Sequence, residues 1–228
     1  MAGIRRIVQA ACIAALFQVW GCMAAPQGVQ SSNVPDDTAI EAFTGDVALA
    51  FPGEDKDAVP VSDRILDGFQ AGPTRLALAD GDVIYWGFKF QEANLQSVAI
   101  YDAKGHPRLL AAVDNIVRVV GGSAPLGTME QYQHALKDSG VTPAVSVFVR
   151  EPGDLVTYLP YLKRWLQADL LGFNVHCDKP GMADACKLAN QIAVPIQAYA
   201  LMPKSGAPHM LQVPKTAAAS VPLGSFVQ

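Results

Sequence analysis

From Asp63 onward the chain alternates between two apolar periods, and each change of period marks an element. Residues 75–79 and 82–90 are rich in strand-forming side chains and flank Asp80-Gly81, a pair suited to a tight reversal because glycine accepts positive φ. A hairpin is predicted there. A second is predicted from residues 97–101 and 109–113, with Asp102 and Gly105 supplying the turn between them. Residues 115–120 read as an extension of that strand or as a further one, ended by Gly121-Gly122.

Beyond this point the period lengthens. A helix is predicted over 128–139, opened at Thr128, with Glu130 near its positive end and Gly140 as its stop. Residues 145–150 form a short β-rich run. Leu155, Leu159, Leu162, Leu166 and Leu170 then recur at three- and four-residue spacing, the strongest helical pattern in the chain. Asp154 is the cap expected for an early start, whereas Pro160 argues for a regular part beginning after Tyr158-Leu159. Trp165 and Tyr161 are read as packing aromatics. A last helix over 183–192 and a β-rich run over 194–201 complete the pattern.

This order predicts an α+β class: one small mixed domain over 63–203, with β-hairpins in its first half and helices alternating with short strands in its second. Residues 23–35 are small, polar and proline-containing, and 44–62 are broken by Pro52, Gly53 and Pro60. The whole of 22–62 therefore reads as a tether with irregular structure. Residues 204–228, with the low-complexity 216–220, read as a disordered tail.

Charge narrows the partners. The 228 residues carry 17 basic and 21 acidic side chains, and no acid precedes Cys22. Without Arg5 and Arg6 the balance is 15 against 21, a net charge of −6. That argues against nucleic acid, whose binding rests on Lys and Arg contacts to phosphate. No basic run suggests electrostatic attraction to anionic lipid.

The N-terminus is different in kind. Arg5 and Arg6 precede an apolar segment, residues 7–20, that is too short for a stable membrane span. Residues 1–21 thus read as a cleavable export signal rather than a retained anchor. Val19-Trp20-Gly21-Cys22 resembles the lipobox of bacterial lipoproteins, departing from its pattern at Trp20, where a small residue is usual. The resemblance covers the signal and these four residues. It implies acylation of Cys22, cleavage before it, and anchoring in a membrane through several acyl chains. Met23 resembles the following residue of lipoproteins passed on to the outer membrane, so the expected location is the outer membrane, facing the periplasm. The alternative is a free periplasmic chain cut at Met23-Ala24-Ala25, although Pro26 then falls unfavourably behind the cut.

Of four cysteines, Cys12 lies in the signal and Cys22 is the candidate lipid site. Cys177 and Cys186 remain for the exported domain, where two thiols in an oxidising compartment pair. A structural disulfide is expected. Redox or zinc chemistry at His176-Cys177 with Cys186 fits less well, because a redox pair is normally two residues apart and zinc needs further ligands. His106, His134 and His209 lie beside turns, on a helix and in the tail, and Glu54, Asp55 and Asp57 read as a solvated acidic run. The chain carries no G-x-S-x-G, H-E-x-x-H or phosphate-cradling loop. No catalytic residue, metal or cofactor is therefore assigned. The expected role is a non-catalytic binding or assembly component of a cell-envelope complex, with envelope protein partners. The alternatives are a periplasmic hydrolase with an active site lacking a local motif, or a thiol-redox protein.

Overall fold

In the computed structural model, the residues described are 34–52, 57–122, 124–173, 175–202 and 207–228. Helix α1 (Asp37–Thr44) opens on Asp36, whose carboxylate accepts the amides of Thr38 and Ala39, an N-cap worth about 1 kcal/mol. The two-residue strands β1 (Ala48–Leu49) and β2 (Val59–Pro60) pair antiparallel and lead into α2 (Val61–Asp67). Seven further strands form one sheet: β3 (Ala71–Ala77), β4 (Val83–Lys89), β5 (Glu92–Tyr101), β6 (Pro107–Asp114), β7 (Ala144–Val149), β8 (Ile196–Ala200) and β9 (His209–Leu211).

Spatial order follows chain order. Every neighbouring pair is antiparallel except β7 and β8, which run parallel. That pair needs a long crossover, supplied by α4 (Pro152–Leu170) and α5 (Ala183–Ala189). Helix α3 (Met129–Ser139) fills the connection from β6 to β7. The architecture is α+β, as the pattern predicts.

Strand periodicity explains the layering. Leu109, Ala111 and Val113 of β6, with Val145, Val147 and Val149 of β7, face one core together with the five leucines of α4. Leu110, Ala112 and Phe148 face the other, under Ile40 and Phe43 of α1 and Val61 and Ile65 of α2. The central strands are thus buried on both faces. Gly68 and Gly87 let the end of α2 lie flat on the sheet. A Cβ on Gly68 would stand 2.7 Å from the Ser97 amide nitrogen, and one on Gly87 would stand 2.9 Å from the Gly68 carbonyl oxygen.

Both hairpins and α3 form as expected; Thr128 and Gln131 make a reciprocal capping box, and Gly140 ends the helix at φ 67°. Four expectations are corrected. Residues 115–120 form no strand, and Asn115 leaves β6 at φ 58°. Helix α4 is continuous from Pro152 and takes Pro160 into its interior, so Asp154 lies in the first turn instead of capping it. A proline at the first turn needs no amide partner, which favours the earlier start.

The tether does not extend to residue 62. Ile40, Phe43, Val47, Phe51 and Val61 are core residues, and Arg150 at the end of β7 donates to the carbonyls of Ala42 and Phe43 at the C-terminus of α1. The earlier part of that segment, including Cys22, lies outside the described residues, as does the export signal. Finally, residues 207–228 are ordered. Strand β9 closes the sheet, and a 3₁₀ turn (Leu223–Ser225) delivers Phe226 into the core, 5.7 Å from the Trp86 ring. A few spaced apolar anchors suffice to hold a segment whose average composition is that of a linker.

Candidate functional site

The returning C-terminal segment does not lie flush on the molecule. Between residues 213–219, the second half of α4 and the 190–196 connection runs an open groove of about 700 Å³. Its accessible apolar surface comes from the half-buried Ile192, Val194, Ile196 and Val213, with the enclosed Leu166 and Leu170 beneath. The volume lies in the middle of the range for small-ligand sites, about 300–1,000 Å³.

The charged groups lining the groove are Lys163, Arg164 and Lys215, all cationic. Lys163 flanks the leucine stripe of α4 and Arg164 lies on the far side from it, both half-buried. Lys163 donates to the Thr216 carbonyl at 2.7 Å, and Arg164 donates through Nε to the Val221 carbonyl and through Nη1 to Gln167. The Ala219 amide adds a bond to the Pro160 carbonyl. Burial lowers the Arg164 pKa, yet a guanidinium stays charged. Among the described residues no carboxylate pairs with any of these three cations, and the buried Thr216 hydroxyl oxygen has no hydrogen-bond partner.

A second polar feature is buried and structural. Arg64 of α2 reaches Asp114 at 2.6 Å, both side chains fully enclosed, and donates as well to the carbonyls of Gln96 and Val113. On the opposite face Asp169 of α4 accepts from Gln96 Nε2 at 2.7 Å and from Arg118 at 2.8 Å, with Arg118 lying over the Phe173 ring. Burial raises the pKa of both Asp114 and Asp169, while Arg64 and Arg118 pull in the opposite direction. Neither carboxylate opens onto the groove lining.

A third cluster lies at the β5–β6 turn. Arg108 donates to Asp154 at 2.7 Å, and Asp102 accepts the amides of Lys104 and His106. Burial pushes the Tyr158 hydroxyl up to about 12, reinforced by its hydrogen bond to Asp82. His106 stands 3.5 Å from Asp102 with most of its ring in solvent. These contacts hold the hairpin against the start of α4.

Of the residues singled out in the sequence, Cys177 and Cys186 are disulfide-bonded, tying the 175–182 loop to α5. His176 beside them is exposed. His134 pairs with Asp138 on the surface of α3, and His209 lies on β9, so the histidines do not converge. Asp57 is exposed, while Glu54 and Asp55 lie outside the described residues. Among the described residues no group of three or more His, Cys, Asp or Glu side chains is arranged to hold a metal. Nor is any helix among them long and apolar enough to cross a membrane.

The groove was not visible in the sequence because its two sides lie some fifty residues apart. The one available signal was the adjacent cationic pair Lys163-Arg164 within a leucine-patterned helix. Fold and site together define an α+β domain with a seven-stranded mixed sheet covered on both faces and a cation-lined groove. No protein-family model, curated protein or solved structure matches the chain.

Proposed function

We propose that this chain is an exported, lipid-anchored, non-catalytic binding component of a bacterial cell-envelope assembly, attached through Cys22 and using the α4 groove as its binding site. The observation that carries this reading is the Cys177–Cys186 disulfide, which follows an N-terminal export pattern in the same chain. Such bonds persist in oxidising compartments and are rare in the cytosol. The lipobox-like Val19-Trp20-Gly21-Cys22 supplies the anchor, and the mixed apolar and cationic lining of the groove suits recognition of a ligand or partner.

Intact mass of the protein from the membrane fraction of its own host, beside a Cys22→Ala variant, tests the anchor. The expected species begins at Cys22 and carries acyl chains, and the variant loses both the added mass and the membrane association. An unlipidated chain beginning after Ala24 or Ala25 overturns it. Cross-linking in whole cells from a photoreactive side chain at Gln191, on the groove lining, tests the binding role; discrete adducts are expected, and their absence counts against a binding component.

A further inference from the structure

We propose that the α4 groove binds a single-chain amphipathic carboxylate, its apolar body against Ile192, Val194 and Val213 and its anionic end among Lys163, Arg164 and Lys215. The inference rests on the reading of this domain as a binding module and names the chemical class of what it binds.

Charge complementarity is the first argument. The chain as a whole is acidic, with a formal charge of −4, yet the charged side chains of this groove are three cations. An acidic protein that gathers cations without acids in one concavity creates a local positive potential, and concave walls focus it.

The second argument is unused hydrogen-bonding capacity. Arg164 spends Nε on the Val221 carbonyl and Nη1 on Gln167, and its Nη2 makes no hydrogen bond among the described residues. Lys163 spends one donor on the Thr216 carbonyl out of the three that an ammonium carries. Lys215 is exposed and unpaired among the described residues. Every partner of these cations is a neutral oxygen. A carboxylate would supply the missing negative charge, and charge-assisted bonds are roughly twice as strong as neutral ones.

The third argument is the apolar part of the lining. The half-buried Ile192, Val194, Ile196 and Val213 stand in it without a carboxylate, so a small hydrophilic anion would leave apolar surface uncovered. Burying an alkyl chain there removes water from both surfaces, at about 0.8 kcal/mol per methylene. An alkanoate satisfies both halves of the lining.

The test uses the full processed chain with Cys22→Ala, which cannot be acylated, and decanoate as the probe, with decanol and decyltrimethylammonium as neutral and cationic counterparts. Titration calorimetry is expected to show saturable one-to-one binding of decanoate, about tenfold tighter than either counterpart. Ala193→Trp, which fills the groove from an exposed position of its lining, should abolish that binding, and Lys215→Gln should weaken decanoate alone. Lys215 makes no bond within the protein among the described residues, so its replacement leaves the fold intact even where Arg164→Gln would loosen the C-terminal segment. The proposal is overturned by absence of saturable decanoate binding, by equal affinity for all three probes, or by binding that survives Ala193→Trp. Lipidation and in-cell cross-linking are read separately, so a groove indifferent to decanoate leaves the envelope reading standing, and the loss of that reading leaves a measured decanoate affinity unchanged.

Discussion

Gln96 and Asp169, 73 positions apart in the chain, are joined by a 2.7 Å hydrogen bond from the amide of Gln96 Nε2 to the carboxylate of the helix. The carbonyl of the same glutamine accepts from Arg64. One residue of β5 therefore touches a charged group from each helical layer, and the enclosed Arg64–Asp114 pair and the part-exposed Arg118–Asp169 pair share a single point in the sheet.

Asp169 makes stability depend on pH in a definite direction. Burial raises its carboxyl pKa in the folded protein, so the native state keeps a proton that the unfolded chain has already lost. Its stabilising contribution is present in full below the ordinary aspartate value of about 3.9 and is lost as pH rises through the elevated folded value. Asp169→Asn has nothing to ionise and retains an oxygen for Gln96. Thermal unfolding followed from about pH 4 to pH 7 should therefore show a Tm that declines less with rising pH than in the wild type. Parallel profiles would count against a raised native pKa.

On the other face, Arg64 cannot shed its charge. Asp114→Ala leaves that guanidinium enclosed without its carboxylate, and urea unfolding should register a loss of about 3–5 kcal/mol. Replacing both partners with apolar side chains, Arg64→Met with Asp114→Leu, should cost clearly less than the single change. A double variant as unstable as Asp114→Ala would mean that the pair contributes more than mutual compensation.

Phe226 is fully buried among Trp86 and its neighbours. Phe226→Ala should destabilise by about 3–5 kcal/mol, whereas the adjacent exposed Val227→Ala should stay within about 0.5 kcal/mol. Chemical denaturation of the two variants decides the matter. Equal, small effects would show that the C-terminal segment is a dispensable strap.

Removing the disulfide with Cys177→Ser and Cys186→Ser together frees a short loop. The loss expected from loop entropy is about 2–3 kcal/mol in a denaturant titration, with the far-ultraviolet circular dichroism of the sheet unchanged. A collapse of the sheet signal would place the bond at the heart of folding instead of at the edge of α5.

The elements that were legible in the sequence are those whose determinants are local. Thr128 and Gly140 bracket α3, Asp80-Gly81 turns the first hairpin, and the leucine spacing of α4 is a direct image of the face it buries. Pro160 stands inside α4 because the burial of Leu159 and Leu162 on either side offsets a proline's local cost, and that packing is not a local property of the sequence. The ordered C-terminus was hidden for the same reason. Its residues have little propensity of their own, and what fixes them is distant: Lys163, Arg164, the Pro160 carbonyl and Trp86. The ion pairs and the groove belong to this second class, since each depends on residues brought together from separate parts of the chain.

The contact between Trp86 and Phe226 also has a temporal side. A chain leaving the ribosome or a translocation channel with its N-terminus first presents Trp86 long before Phe226 exists to cover it. Until that segment arrives, the aromatic face shared with Phe173 stays open to water and to any holding factor that favours exposed rings. Closure of the core over Trp86 is therefore a late event in the order of synthesis.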